Sequence, residues 1–431
     1  MRSRVVYQGV IRRCQAPLLL LFLLAPSAGR GDAGGTGPEI ALADLVALAL
    51  RDNPALRASR AGWEAGRERP GRERALPNPM FLYGGMDETE TFSFPDTDEK
   101  RFEIEQRFPW FGKRDLGGRI AEKEAEISGT DHAALERDLV MQVKDAYYTL
   151  YAIQRILAIT RDEEAVLDGM RAAAAAQFET GGAGLDDALE AETEITLWKA
   201  RLLDLERDQT IAAARLNRLI GRDPGAPIGR AVTPPPEANH DPERLLALAR
   251  ETSPEIENAR TAIEASGLRR DLERKEYYPD YLLGAEYRSL DGAEDMAMFR
   301  LGIDLPIWRG KYGAGVRGAE LELESSRAAL EDAEVQTAYE VREAYAAWDT
   351  ARRARELYES ALLPQAEARF QASAAAYRTG RADFRGLLES ERLLLNARVL
   401  LVTKEMEIGV ELARLERAVG TELAADPARE E

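Results

Sequence analysis

Side chains that bind transition metals or act as nucleophiles are scarce in this chain. It has two histidines, His132 and His240, and one cysteine, Cys14, among 431 residues. A zinc site usually needs three or four such ligands close together, and the two histidines lie in different segments. No glycine-rich phosphate loop ending in Lys-Ser or Lys-Thr occurs, so nucleotide hydrolysis is not expected. We therefore expect no enzyme, no metal centre and no cofactor, and we expect His132 on a helix surface.

Carboxylates are the abundant functional groups. The chain carries 76 acidic and 58 basic residues, which gives a net charge of −18 at pH 7. An acidic balance without a basic patch argues against nucleic acid as a partner. What the carboxylates do depends on the elements that position them.

The N-terminal residues 1–29 are predicted to be a signal peptide. Arginines precede a short apolar run at 18–24, and small residues follow at 27–29, which is the order that such peptides show. The alternative is a membrane anchor, but the run is roughly eight residues long and a spanning helix needs about 20. Cys14 lies before the run, so it is poorly placed for lipidation, and the mature chain is expected to lack cysteine.

The chain is an internal tandem repeat. Its motif at 53–54 recurs at 253–254, the motif at 112–113 at 310–311, and the motif at 180–181 at 379–380, so the offset stays between 198 and 200 residues. Such a constant offset indicates a duplicated structural unit. We predict a first repeat over 41–221, a proline-rich linker over 222–241, a second repeat over 242–420 and a tail over 421–431.

Each repeat is predicted to hold a helix broken at Pro54 or Pro254, two strands, a very long helix and a last helix. The long helices are expected at 115–177 and 316–377, with a bend at Pro364, and the last helices at 185–219 and 384–419. About 60 helical residues make a rod of roughly 90 Å. Apolar residues at steps of three and four along it predict a coiled coil or a helical barrel.

The four strand segments alternate between apolar and charged residues. In the segment before Pro109, Phe102 and Ile104 face one way while Arg101 and Glu103 face the other. This pattern fits a strand between lipid and a water-filled lumen, although half-buried hairpins of a soluble domain also alternate. Four strands cannot close a barrel alone, whereas three chains would supply twelve. An interfacial aromatic belt is expected at Trp110, Phe111 and Trp308.

The order and repetition of these motifs resemble the TolC-type outer-membrane efflux proteins over nearly all of the mature length. The resemblance rests on the duplication, on Asn53-Pro54, on residues 108–114 (Phe-Pro-Trp-Phe-Gly-Lys-Arg), and on the paired turns at 178–181 and 377–380. It implies a mainly α fold with a membrane β-barrel: a homotrimer with a twelve-stranded barrel and a long periplasmic α-helical barrel. It also implies a periplasmic adaptor and an inner-membrane pump as partners. Residues 108–114 are most similar to the heavy-metal efflux branch.

In this family, the helix-turn-helix tips at the periplasmic end meet the adaptor. The resemblance maps those tips to the following residues: Thr180, Gly181, Gly182, Leu185, Thr379, Gly380, Arg381 and Phe384. A glycine ends a helix and exposes backbone, and Leu185 or Phe384 could offer an apolar contact. The alternative is a plain helix reversal with a capping glycine.

The family also places acidic residues near a closed aperture of the tunnel. By position these are Asp187, Glu190 and Glu389, and Gly386 stands where the family often has an aspartate. Three copies of one carboxylate around an axis would attract cations. The alternative is a solvated helix face in an acidic protein.

Two functions follow as hypotheses. The first is an outer-membrane exit duct of a tripartite efflux system, which passively exports small solutes or metal ions from the periplasm. The alternative is a secreted periplasmic coiled-coil adaptor or scaffold without a membrane barrel. The strand alternation favours the first.

Overall fold

The computed structural model describes residues 38–86, 99–179, 184–236, 240–290 and 294–423. The predicted signal peptide and the tip residues Thr180, Gly181 and Gly182 lie outside these ranges. The helices are, in chain order, α1 (Leu42–Asp52), α2 (Pro54–Arg74), α3 (Lys113–Glu179), α4 (Leu185–Leu219), α5 (Pro242–Thr252), α6 (Pro254–Lys275), α7 (Arg309–Leu357), α8 (Leu363–Arg378) and α9 (Phe384–Val419). The strands are β1 (Glu39–Ile40), β2 (Met80–Met86), β3 (Glu99–Phe108), β4 (Arg230–Ala231), β5 (Tyr281–Leu290) and β6 (Met296–Ile303).

The long helices agree with the sequence prediction. The 67 residues of α3 make a rod of about 100 Å. Its counterpart in the second repeat is interrupted by a π-helical turn, Tyr358–Leu362, which ends two residues before Pro364. Proline has no N–H to donate and its ring crowds the preceding turn, so the helix widens there. Pro364 therefore changes the helix at the predicted place.

In each repeat, the end of the last helix contacts the break in the first helix. Asn53 caps α2, accepting a hydrogen bond from Ala55 N at 2.8 Å, and its Nδ2 donates to Leu219 O at 2.8 Å. In the second repeat Thr252 Oγ1 donates to Val419 O at 2.6 Å. Both repeats thus satisfy a carbonyl at the end of their last helix with a side chain at the break, which positions the two helices against each other.

The helices form a slab with two free edges. α2 and α4 pack on α3, and α3 packs on α6 and α9. α7 packs on α6 and α9, and α8 packs on α9. The hydrophobic core lies in several clusters along the helices, with Tyr147 and Leu216 in one, Leu245 and Leu415 in another, and Phe384 near the tip. α2 and α4 therefore form one edge, and α7 and α8 form the other.

The sequence did not predict the short parallel pair of β1 and β4. It joins Glu39 to Arg230 and Ile40 to Ala231, so the proline-rich linker is fastened beside the start of the first repeat. The hydroxyl of Tyr147 on α3 accepts hydrogen bonds from Val232 N and Thr233 N, at 3.0 and 2.7 Å.

The remaining strands form one antiparallel sheet in the order β2-β3-β5-β6. β3 and β5 pair along their full length, from Glu99 opposite Leu290 to Phe108 opposite Tyr281. The two hairpins of the two repeats therefore meet in the middle of the sheet, and β2 and β6 are its edges. Within the described ranges, no helix combines the length and the apolar character needed to cross a membrane.

Candidate functional site

The four-stranded sheet exposes its apolar face. The strand register aligns Ile104, Ala285 and Phe299 on this face. Phe299 is 87% and Leu301 76% exposed, against 4% for Glu286 on the other face. Further exposed apolar side chains on the same face are Phe81, Phe102, Leu283, Tyr287 and Ile303. A sheet of a soluble domain buries its apolar face. Here the apolar face is the exposed one, so we call this the inverted sheet.

The opposite face of the sheet carries a network of ion pairs. Glu286 pairs with Arg288 at 2.6 Å, with Arg101 at 3.0 Å, and also with Arg300. Glu103 pairs with Arg101 at 3.0 Å and with Arg300 at 2.7 Å. The network links β3, β5 and β6 side by side. A face of this kind suits water, and the apolar face suits lipid, as the alternation predicted.

An aromatic cluster lies where the sheet meets the helices. The ring of Trp110 stacks on Tyr278 and Tyr281, with centroids 5.1 and 5.6 Å apart. Trp110 is half-buried, while Phe111 and Trp308 are largely exposed. Rings of this type favour the boundary between lipid and water.

At the other end of the slab, α8 and α9 are joined by a tight turn. Gly380 has φ +65°, a conformation that L side chains rarely adopt. Gly380 N donates to Tyr377 O at 3.0 Å, and Arg381 N donates to Ala376 O at 2.9 Å, as in a helix-ending Schellman motif. Asp383 caps α9 by accepting a hydrogen bond from Gly386 N at 3.0 Å. Thr379, Gly380 and Arg381 are exposed.

Phe384 differs from the expectation of an exposed apolar contact. Its side chain is only 1% exposed, and its ring meets that of Tyr377 edge-on at 5.8 Å. It packs with Leu387 and Leu388 into the cluster below the turn, because the first residue of α9 points back between the helices. Phe384 therefore supports the turn from inside. In the first repeat, Leu185 begins α4, and its side chain is not among the parts of the chain that the structure describes.

The acidic candidates for the aperture are close to the turn of the second repeat. Burial, and then the charges of Asp186, Glu190 and Asp383, raise the pKa of Asp187 above its ordinary value. Glu190 lies 3.9 Å from Arg385 Nε. Glu389 is exposed. The structure thus brings Asp187 and Glu190 of the first repeat next to the start of α9.

Sequence reasoning missed a cluster of buried carboxyls one level above the tip. Glu163 on α3, Glu194 on α4 and Glu391 on α9 are buried. Two more exposed arginines pair with this cluster, Arg392 with Glu194 and Arg398 with Glu163. One signal could have found it: Glu391 stands on the apolar stripe of α9 that also carries Leu387, Leu388, Leu394 and Leu395.

The prediction of a surface position for His132 was wrong. Its ring is buried, stacks on Trp63 at 5.8 Å, and lies 3.2 Å from Ser59 Oγ through Nδ1. The reason is that α2 packs over this part of α3. His240 lies beside Trp348, with ring centroids 5.5 Å apart. Over the described ranges no group of three or more His, Cys, Asp or Glu residues could hold a metal ion.

Rod-like helices that carry a sheet with lipid-compatible and water-compatible faces define the class of membrane channel subunits. The chain belongs to the outer membrane efflux protein family, whose model matches residues 45–222 and 245–421. The two matched segments are the two halves of the tandem repeat.

Individual relatives agree with this assignment. The chain is 24% identical over 339 residues to protein CyaE of Bordetella pertussis, covering 74% of this chain and 71% of CyaE. It is 23% identical over 336 residues to the cobalt-zinc-cadmium resistance protein CzcC of Cupriavidus metallidurans, covering 76% and 77%. Its fold is similar to the outer membrane protein VceC of Vibrio cholerae, with a TM-score of 0.74, 18% identity and coverage of 88% and 96%.

The chain is therefore an outer-membrane efflux channel protein of the kind used in tripartite systems, with its helical part in the periplasm. The hypothesis of a periplasmic scaffold fails, because it leaves the exposed apolar face of the sheet in water. The family is one of channels and not of enzymes. Its members form trimeric channels that work with efflux pumps.

Proposed function

We propose that three copies of this chain form a passive exit duct, which docks on a periplasmic adaptor and an inner-membrane pump. In this duct the pump supplies the energy and the chain supplies the conduit. Residues 1–29 direct the chain across the inner membrane and are removed. The single observation that carries the proposal is the inverted sheet, because an exposed apolar face marks a surface that contacts lipid or protein, and its charged opposite face suits a water-filled lumen.

The two edges of the helical slab support a homotrimer. The edge helix α4 exposes four large apolar side chains within one arc of its surface: Leu189, Leu197, Leu203 and Ile211. α7 exposes another four, Leu321, Val335, Tyr339 and Leu357, whose spacings of 14, 4 and 18 residues place them on one stripe. An edge of one copy facing the opposite edge of the next buries both, and rotation around an axis closes the ring.

The sheet edges lead to the same arrangement. β2 and β6 pair on one side only within the described sheet, and open strand edges in lipid leave backbone groups unsatisfied. If β6 of one copy pairs with β2 of the next, three copies give a barrel of about twelve strands, a size that membrane barrels adopt.

We propose small toxic solutes or metal ions as the cargo. Asp187 and Glu190 from three copies would place six carboxyls around the narrow end, which attracts cations. The relative CzcC is named as a resistance protein for cobalt, zinc and cadmium. Cation export is the form of the proposal that these carboxylates support best.

We further propose that the tip residues meet the adaptor. On the second tip Thr379, Gly380 and Arg381 are the exposed candidates, and on the first tip the candidates are Thr180, Gly181, Gly182 and Leu185. The second tip supports this role by its open surroundings, since a Cβ on Gly380 would meet no atom within 4 Å beyond the adjacent residues of the chain.

The test of the duct is a comparison of two neighbouring residues on α7. Val335 belongs to the exposed apolar stripe, whereas Glu334 is also exposed but lies on another side of the helix. Val335→Lys should prevent the detergent-extracted trimer from forming, and Glu334→Lys should leave it intact. The proposal is refuted if the wild-type chain is recovered as a salt-soluble monomer, or if both variants form trimers equally well.

A further inference from the structure

The buried cluster between α3, α4 and α9 has more carboxyls than cations. Glu163, Glu194 and Glu391 are all buried, and the basic side chains that reach them are Arg392 and Arg398. Arg392 pairs with Glu194, its Nε lying 3.1 Å from Oε1. Arg398 Nη1 lies 3.4 Å from Glu163 Oε2. The third carboxyl, that of Glu391, is left without a guanidinium of its own.

The environment of Glu391 disfavours a negative charge. Its side chain is 1% exposed, and its Oε1 is buried without a hydrogen-bond partner. The neighbouring charge from α3 is Glu163, and the neighbouring charge from α4 is Glu194. An isolated carboxylate in such a place is costly, and a second one beside it costs more. A proton on one of the pair removes one charge and supplies the missing donor.

Burial, followed by the hydrogen bond to Glu163 and the charges of Glu163 and Glu194, raises the pKa of Glu391 to about 8. Arg392 acts in the opposite direction but is already engaged by Glu194. Glu163 is the better site for the negative charge, because Arg398 approaches it. The pair therefore holds one proton at neutral pH, on Glu391.

We propose that Glu163 and Glu391 share one proton in the folded helical bundle, and that losing it as the pH rises loosens α9 from α3 and α8 near the tip. The shared proton is then a pH-sensitive contact between the two repeats, since Glu163 belongs to the first and Glu391 to the second. It is separate from the acidic candidates of the aperture.

Arg398 extends this contact to the irregular part of the second long helix. Its Nη2 lies 3.9 Å from Glu367 Oε1 on α8, three residues after Pro364. Leu394, one helical turn before Arg398 on α9, packs with Ala366 of α8. When Glu391 becomes a carboxylate, it competes for Arg392 and Arg398, and Arg398 can no longer serve Glu163 and Glu367 alike. Because α8 leads from the π-helical turn to the tip, its lower half is the segment that we expect to move.

The first test detects the proton on the carboxyl pair directly. Infrared difference spectra of the intact trimer between pH 6 and pH 10 should show a buried protonated carboxyl that titrates near pH 8. Glu391→Gln should abolish this band, and Glu163→Gln should shift its titration to lower pH, because a negative neighbour is gone and Arg398 is free. Glu407→Gln is the matched control on α9, since Glu407 is partly exposed and paired with Lys404, and it should leave the band unchanged.

The second test rests on the proposed channel function. Conductance of the trimer in planar bilayers with KCl should rise at least twofold between pH 6.5 and pH 9.5, and Glu391→Gln should remove that rise. The proposal is overturned if the wild type shows no titrating carboxyl band, if the band survives in Glu391→Gln, or if the conductance rise persists in that variant. A clear titration with no conductance at any pH would instead refute the duct and leave the shared proton standing.

Discussion

The turn between α8 and α9 allows the docking of the tip to be separated from the stability of the trimer. Gly380 has φ +65°, so any other residue there carries backbone strain of about 1–2 kcal/mol. A Cβ at this position has open space around it, so no steric clash is added to the strain. Gly380→Ala and Gly380→Trp therefore share the same strain and differ in the bulk that they place on the surface of the tip.

Gly380→Ala and Gly380→Trp should differ in how strongly they reduce export. Gly380→Ala should leave export within about twofold of the wild type. Its strain of about 1–2 kcal/mol falls on an exposed turn, outside the helix stripes and sheet edges that we propose as the trimer contacts. Gly380→Trp should lower export at least tenfold, which corresponds to a loss of about 1.4 kcal/mol or more in docking. Combining it with Gly181→Trp, the equivalent residue of the first tip, should abolish export.

The assay is growth of a strain that depends on this chain, on a panel of toxic divalent metals and dyes. Gel mobility with and without heating reports whether the trimer is intact. Unchanged resistance in the double tryptophan variant refutes docking at the tips. Equal losses in Gly380→Ala and Gly380→Trp assign the effect to strain instead.

Three further predictions concern the cap, the sheet and the buried proton. Asn53→Ala removes both a cap worth about 1 kcal/mol and the donor to a buried carbonyl worth about 1–3 kcal/mol, so it should speed amide exchange at the start of α2 and the end of α4. Ser253→Ala removes the cap of α6 and the hydroxyl's contacts with Glu255 and Thr337, and should leave exchange at the end of α4 unchanged. Phe299→Arg puts a charge on the lipid face at about 2–4 kcal/mol and should keep the chain out of the outer-membrane fraction, whereas Met298→Arg on the opposite face should insert. The free energy of unfolding of the helical part should fall as pH rises from about 5 to about 9, because the folded state holds the Glu391 proton with a pKa of about 8 against an ordinary value of 4.5, a difference worth at most roughly 5 kcal/mol.

Each of these has a result that contradicts it. Equal amide exchange at the end of α4 in Asn53→Ala and Ser253→Ala would show that the bond to Leu219 does not matter. Normal insertion of Phe299→Arg would place the apolar face away from lipid. A pH dependence that persists in Glu391→Gln would assign it to another group.

Local sequence signals determined where most elements begin and end. Proline after a capping residue at 53–54 and 253–254 indicated the breaks, and the structure has α2 and α6 starting at Pro54 and Pro254. Gly420 ends α9 with φ +85°. These signals act within one helical turn, so neighbouring residues suffice to read them. Period-two alternation likewise fixes the two faces of a strand, because the pleat itself alternates.

The tertiary structure decided what lies against each helix. Glu163 on α3 and Arg398 on α9 are 235 residues apart in the chain and contact each other. The strands β1 and β4 pair residues that are 191 positions apart. His132 and Phe384 became buried because neighbouring helices cover them. A single helix specifies its apolar stripe, but the rotation and axial offset of its partner depend on packing along the whole interface. The sequence alone therefore determined the repeat, the rods and the two-faced strands, while only the packing of rods against one another created the buried carboxyl pair.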